Sequence, residues 1–302
     1  EMKAVIISLL VAFTIASTHP VNRDIVQQVL DAQTTWTPMD PETNLFAYMS
    51  VEQIKAMLGT KISPADSAAV DLEGLTDQDN FDSRQQWPSF IHNIMNQGQC
   101  GSCWAFGATE AMSDRLAIAS KGSVNVVLSP QYLVSCDKNN MGCSGGWLDK
   151  AWNFMMTNGV PSQSCVSYRS GGGSSGTCPT KCDDGSPIVL YKCKNVQYAK
   201  NAGQIQSAII KDGPVEAAFT VYQDFLSYKS GIYKHVSGGI LGGHAIKAVG
   251  WGVDKGTKYW IMANSWGTSW GEQGFFKIAF GECGIEQNIV FADAVVPSVE
   301  SE

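Results

Sequence analysis

Residues 97–106 read Gln-Gly-Gln-Cys-Gly-Ser-Cys-Trp-Ala-Phe, and from Cys103 onward Ala105, Ala108, Met112 and Leu116 recur at helical spacing. That rhythm predicts a helix with Cys103 at its N-terminus, where unpaired backbone N–H groups and the helix dipole favour an anion. A thiol so placed ionises below its free value of about 8.5, and the thiolate is the form that attacks a carbonyl. Such a nucleophile needs a base. Of the four histidines, His19 lies close behind an apolar N-terminal run, and His92 and His235 have undistinguished settings. All three read as surface or satisfied structural residues. His244 is different: Gly242-Gly243-His244-Ala245-Ile246 opens a β-prone run, a turn around Asp254-Lys255-Gly256 follows, and a second run ends in Asn264-Ser265-Trp266. The pattern predicts a β-hairpin with His244 on one arm and Asn264 on the other. The Asn264 amide can then hold one imidazole nitrogen while the other faces the thiol, and Trp266 can shield that hydrogen bond from water. Two other uses of the cysteines compete. Cys100 and Cys103 have redox-pair spacing but no βαβ context, and Cys178 with Cys182 offers only a weak second half for a zinc site.

The elements that must position these residues occupy the later part of the chain. Its 302 residues are 44% hydrophobic and 16% charged, a globular composition with room for one large or two ordinary domains. The net charge of −7 argues against nucleic acid or an anionic membrane as the main partner. It is also unevenly placed: residues 1–80 hold 4 basic and 11 acidic residues, whereas residues 81–302 hold 17 of each, all nine cysteines and 28 of the 30 glycines. Residues 2–17 carry one lysine followed by an apolar run too short to span a bilayer, and small residues follow at once. This predicts a secretory signal peptide over 1–17, hence disulfide-permissive conditions and no stable membrane anchor. Residues 18–79 read as short amphipathic pieces, with Val26, Val29 and Leu30 in one and Val51, Ile54 and Leu58 in another, separated by Pro38 and Pro41. Acidic, cysteine-free and poor in core, they are expected to form a detachable regulatory segment whose carboxylates, once protonated, trigger release.

The long motifs FDSRQQWP (81–88), QGQCGSCWAFGATEA (97–111), CSGGW (143–147), GGHAIKAVGWGV (242–253), NSWG (264–267) and CGIE (283–286) resemble the papain family of cysteine proteases, in its cathepsin B-like branch. The resemblance covers nearly everything after residue 18. It implies an α+β, two-lobed fold, one lobe mainly helical and one built on a β-barrel, with the active site between them and residues 80–302 as the catalytic domain. It also implies Cys103 as nucleophile, His244 as its partner, Asn264 as the orienting amide and Gln97 as the oxyanion-hole amide. Gly145 and Gly146 match the strand that binds extended substrate, and Trp147, Ala218, Ala245 and Asn288 match the S2 pocket, with Trp266 beside the site. A catalytically dead binding homologue would lack one of the four catalytic matches, and all four stand.

The resemblance further selects the disulfides Cys100–Cys143, Cys136–Cys178 and Cys165–Cys182, and leaves Cys193 and Cys283 either paired or free. One departure is large. Cathepsin B carries an occluding loop in this region, with paired histidines that bind the substrate C-terminus, whereas only twelve residues, VSYRSGGGSSGT, separate Cys165 from Cys178 here. An open primed side and mainly endopeptidase action are expected, with residual exopeptidase action as the alternative. Asn288 stands where cathepsin B often has an acid, so apolar side chains are expected in S2 and Arg is expected to be accepted weakly. The implied partners are peptide and protein substrates and the chain's own prosegment, and cystatin-type inhibitors are a further class the family admits. No metal or cofactor is called for. A monomer in the secretory pathway, bound for an acidic vacuole, lysosome or the exterior, completes the expectation.

Overall fold

A computed structural model describes residues 19–62 and 76–297. The expected signal peptide lies outside the described residues, as does the stretch 63–75 just before the expected domain boundary. The elements run α1 (Arg23–Asp31), β1 (Trp36–Pro38), α2 (Val51–Met57), β2 (Phe81–Asp82), α3 (Ser83–Gln86), α4 (Cys103–Ala119), α5 (Pro130–Cys136) and α6 (Leu148–Thr157). They continue with β3 (Cys193–Ala199), α7 (Ala202–Asp212), β4 (Val215–Tyr222), β5 (Tyr228–Tyr233), β6 (Ile240–Asp254), β7 (Thr257–Ala263), β8 (Phe275–Ala279) and β9 (Asn288–Ala294). The strands form one nine-stranded sheet in the order β1-β5-β8-β7-β6-β4-β9-β3, with β2 added to β6.

Two apolar cores define two lobes. One gathers α4, α5 and α6 around Trp104, Met112, Leu133 and Trp152. The other lies on the sheet around Phe219, Phe225, Trp260, Trp270 and Phe276. Helix α4 stands between them and touches α5 and α6 on one side and β4, β6 and β9 on the other. Every residue from Cys103 to Ala117 is therefore buried, not just the apolar face that the spacing of Ala105, Ala108, Met112 and Leu116 picks out. A helix surrounded by protein buries its polar residues too, and those must find partners. Disulfides Cys100–Cys143, Cys136–Cys178 and Cys165–Cys182 staple the loops of the helical lobe. Cys193 and Cys283 are both free. With Cys100 bound to Cys143, it forms no redox pair with Cys103, and Cys178 and Cys182 are likewise consumed. Among the described residues no cluster of His, Cys, Asp or Glu could hold a metal ion, and no helix is long and apolar enough to cross a membrane.

The early segment is laid against the sheet lobe and then across the junction. Helix α1 is capped by Asn22 and α2 by a Ser50–Gln53 capping box, which sets the N-terminus of each of two short helices that would be marginal alone. Strand β1 adds itself to the edge of β5. Trp36, 5% exposed, packs between Tyr228 and Tyr233 at 6.1 and 5.2 Å, and its indole N–H donates to the Lys234 carbonyl at 2.9 Å. Phe46 meets Trp266 edge to face at 5.0 Å. Asn44 donates to the Leu226 carbonyl at 3.0 Å, and His19 spans from the Val21 amide to the Met49 carbonyl. Among the described residues the one ion pair of this segment, Arg23–Glu42, is internal to it and exposed. Its docking is thus apolar contact and uncharged hydrogen bonding from both main chain and side chains. The expected release by protonation of docking carboxylates has no such contact to act on within these residues.

Candidate active site

The hairpin β6–β7 turns at Lys255 and Gly256, both at positive φ, the backbone that a two-residue hairpin turn requires. It brings His244 and Asn264 together. His244 is fully buried on β6, opposite Phe219 of β4, and its Nε2 donates to Asn264 Oδ1 at 2.7 Å. Trp266 stacks on the imidazole at 4.7 Å, so the hydrogen bond sits in a dry, low-dielectric setting where it is stronger. Nδ1, buried and without a hydrogen-bond partner at normal geometry, is the nitrogen left for the thiol.

Cys103 opens α4 and is fully buried. Burial by itself raises a thiol, but the charge of His244, hydrogen bonding from His244 and from Thr60, and the Ala245 amide outweigh it and bring Cys103 down to about 7. Thr60 Oγ1 lies 3.0 Å from the sulfur. Gln97 precedes Cys103 by one tight loop. Its Nε2 donates to the carbonyls of Cys100 and Met57 at 2.8 and 2.9 Å, and its Oε1 accepts from Ser265 Oγ at 2.7 Å. The Gln97 amide also donates to the Ser265 carbonyl at 2.9 Å, and the Ser265 amide donates to Asn264 Oδ1 at 2.8 Å. Ser265 therefore ties the histidine side of the junction to the glutamine side. Its identity carried no sequence signal beyond its place between Asn264 and Trp266.

The early segment fills the same place. The Gly59 carbonyl accepts from the Gly146 amide at 3.0 Å, the Lys61 amide donates to the Gly146 carbonyl at 2.8 Å, and the Thr60 amide donates to the Gly243 carbonyl at 3.1 Å. A side chain at Gly145, whose φ is +110°, would collide with the Gly59 carbonyl, so the close passage requires glycine there. Ile62 packs against the apolar cluster that includes Ala218 and Ala245. Ala218 pairs with Ala245 across β4–β6 and with Asn288 across β4–β9, so three of the four expected S2 residues are direct neighbours. Trp147 is half-buried at the head of α6, and the Lys150 ammonium lies 3.6 Å over its ring.

Beneath the site lies a buried ionic cluster that the sequence did not disclose. The Lys247 ammonium reaches Asp114 Oδ2 at 2.6 Å and His92 Nδ1 reaches Asp114 Oδ1 at 2.7 Å. His92 is thus a structural partner, as His235 is to Asp224 at 3.1 Å. Glu110 has one carboxyl oxygen without a partner, and burial pushes its carboxyl up to about 8 against the pull of Lys247 and with the push of Asp114. Glu216, which accepts from Trp152 Nε1 at 2.7 Å, is pushed well up by burial, with the Trp152 hydrogen bond opposing and the charge of Cys103 adding.

A helix-start thiol beside an amide-held imidazole in an interlobe junction is the arrangement of a thiol-dependent hydrolase. The papain family cysteine protease model matches residues 78–293, and the chain belongs to that family. Over 218 residues, 70% of this chain and 73% of the relative, it is 47% identical to "Cathepsin B-like CP3" of Giardia intestinalis. It is 39% identical to "Cathepsin B-like cysteine proteinase 4" of Caenorhabditis elegans over 96% of this chain and 98% of that one. Among solved structures it resembles "proCathepsin B S9 from Trypanosoma congolense", with a TM-score of 0.81 and 28% identity over 92% of this chain and all of that one. The chain is therefore a cathepsin B-like cysteine protease of two-lobed α+β fold.

Proposed function

We propose that the chain is an endopeptidase made as a secretory-pathway zymogen, with residues 1–17 as signal peptide, 18–79 as inhibitory prosegment and 80–302 as catalytic domain. The observation that carries the chemistry is the buried Cys103 thiol, brought down to about 7 beside His244. As thiolate, Cys103 attacks the peptide carbonyl carbon and the carbonyl π electrons move onto oxygen. The resulting oxyanion is held by Gln97 Nε2 and the Cys103 amide, a role worth about 10²–10³ in rate. The intermediate collapses as His244 Nδ1 gives its proton to the leaving amine, and an acyl-enzyme remains. His244 then takes a proton from water, which attacks the thioester and restores the thiolate. Asn264 keeps Nε2–H in place throughout. The main chain of Gly146 would pair with substrate as it now pairs with residues 59 and 61. The precursor is silent because Thr60 covers the thiol and the Met57 carbonyl occupies the Gln97 amide.

The disulfides support an oxidising compartment, and the secretory route leads to a lysosome-like vacuole or to the exterior. Protein substrates and cystatin-type inhibitors would enter the cleft that the prosegment leaves, with the enzyme acting as a monomer. The loop between Cys165 and Cys178 contains no histidine and one arginine, Arg169, which is paired with Asp183 at 2.9 Å. Endopeptidase action follows from that lack of a carboxylate receptor. Incubation of the activated enzyme with peptides bearing a free or an amidated C-terminus tests this. Equal internal cleavage of both is expected, and efficient dipeptide release abolished by amidation contradicts it. A Phe-Arg substrate should also be cleaved better than an Arg-Arg one, since Asn288 offers S2 no negative charge.

A further inference from the structure

The short segment between Cys165 and Cys178 does more than close a gap. Tyr168 sends its hydroxyl to the Gln97 carbonyl at 2.8 Å, and Ser102 Oγ lies 2.9 Å from the same phenolic oxygen. A phenol has one proton, committed here to the carbonyl, so Ser102 is the donor in the second bond. The chain Ser102 O–H to Tyr168 O–H to Gln97 carbonyl spans the whole loop from the oxyanion amide to the residue before the nucleophile. The Tyr168 ring is fixed edge-on against Phe106 of α4 at 4.7 Å. Burial pushes the phenol up to about 12, with Ser102 opposing and the Cys103 charge adding, so it stays a neutral donor at any working pH. The rest of the segment is latched to the same place: the Gln99 amide donates to the Gly171 carbonyl at 2.7 Å. Gln131 in turn accepts from the amides of Arg169 and Ser170 at 2.7 and 3.0 Å.

We infer that Tyr168 is a positioning residue for the hydrolytic reaction, holding the main chain of Gln97 at a fixed distance from Ser102 and Cys103. The two oxyanion donors, Gln97 Nε2 and the Cys103 amide, belong to the two ends of that loop. Their separation must match a single oxygen before substrate arrives, because donors that have to move give up part of their stabilisation of the transition state. The main chain of Gln97 is otherwise anchored through its amide to Ser265, on the opposite lobe, while its side-chain Nε2 also donates to the Cys100 carbonyl within the loop. Tyr168 anchors the Gln97 carbonyl within the lobe of Cys103, acting through the main chain and Ser102. The inference rests on the oxyanion role proposed for Gln97.

The test uses the enzyme activated from the full-length precursor carrying Tyr168→Phe, Ser102→Ala, both together, or Gln97→Ala. Two quantities are measured on each: kcat and KM on a peptide amide, and the rate of Cys103 alkylation by iodoacetamide. Alkylation needs the thiolate but no oxyanion donor. Tyr168→Phe should lower kcat roughly three- to tenfold, the loss of one ordinary hydrogen bond, with KM and alkylation each within about twofold of the parent. The double variant should be no worse than Tyr168→Phe, since Ser102 acts through the same hydroxyl. An unchanged kcat in Tyr168→Phe, while Gln97→Ala falls tenfold or more, overturns the inference and leaves the oxyanion reading standing. An unchanged kcat in Gln97→Ala overturns both. Alkylation falling in step with kcat also overturns it, because the lesion is then general. Should Tyr168→Phe fail to fold, Ser102→Ala carries the test: roughly a twofold loss in kcat alone is expected, and no loss contradicts it.

Discussion

Replacing Glu110 by glutamine should change how the stability of the precursor depends on pH, and by an amount the structure sets. Glu110 is 4% exposed on α4, and one of its oxygens has no partner. The cation that pulls on it, Lys247, is already paired with Asp114 at 2.6 Å, and Asp114 is held on its other oxygen by His92. Glu216, from β4, brings a second buried carboxyl close by. Burial thus moves Glu110 from an ordinary 4.5 up to about 8. A group raised in the folded state favours folding fully below its unfolded value and loses that contribution as pH climbs through the folded one. Between about pH 4.5 and 8 the unfolded chain releases this proton and the folded chain keeps it, at 1.36 kcal/mol per pH unit. The whole window from 4.5 to about 8 is therefore worth roughly 4–5 kcal/mol. The assay is urea unfolding of the Cys103→Ala precursor, which cannot digest itself, with and without Glu110→Gln. The two proteins should differ little at the acid end, and the glutamine form should be more stable by several kcal/mol near pH 8. The Glu110 charge also helps push Glu216 up, so its removal relieves Glu216 and adds to the gain of the glutamine form in the same direction. A difference that stays within 1 kcal/mol across that range would show that Glu110 is ionised in the fold and would refute the reasoning.

Three further outcomes follow from contacts of the prosegment and the thiol. Trp36→Ala removes a ring packed between Tyr228 and Tyr233 at 5% exposure, a loss of about 3–5 kcal/mol of docking. Cys103 of that precursor should be alkylated at least tenfold faster at neutral pH, and protection equal to the parent's contradicts the packing argument. Thr60→Val deletes a hydrogen bond that helps lower the Cys103 thiol. Thiolate absorbance in the intact precursor should then appear at higher pH, and an unmoved or lower titration contradicts it. Asn288→Glu should improve cleavage after Arg-Arg relative to Phe-Arg, because Asn288 neighbours Ala218 in the S2 cluster, and an unchanged ratio counts against that pocket.

The residues proposed to do the chemistry were legible because their signals are local. Cys103 was fixed by the helix rhythm that starts at it, and His244 and Asn264 by two strands around a glycine turn. Gln97 and the disulfide partners came with the motifs around them. What stayed hidden depends on distance in space. Thr60 and Met57 sit in a segment whose own sequence says only that it is short and amphipathic, and their contacts are formed across about 40 residues of chain. Tyr168 lies in a glycine- and serine-rich stretch whose composition reads as a plain linker, yet its hydroxyl bonds to a carbonyl 71 positions away. Glu110, Asp114 and Arg115 look like the solvent face of an amphipathic helix. They are buried because α4 has a helical layer on one side and the sheet on the other, an arrangement that periodicity alone cannot report. The charge imbalance of the first 80 residues pointed to a separate segment, but its acidity turned out not to be how its described part docks.

The central claim is that Cys103, made nucleophilic by His244, carries out the hydrolysis. Titration of the activated enzyme with iodoacetamide, followed by peptide mapping, tests it most directly. One equivalent should be taken up, on Cys103 and on neither Cys193 nor Cys283, whose thiols burial pushes upward, and peptidase activity should vanish in proportion. Activity surviving stoichiometric labelling of Cys103, or persisting in a Cys103→Ala enzyme, would contradict the account.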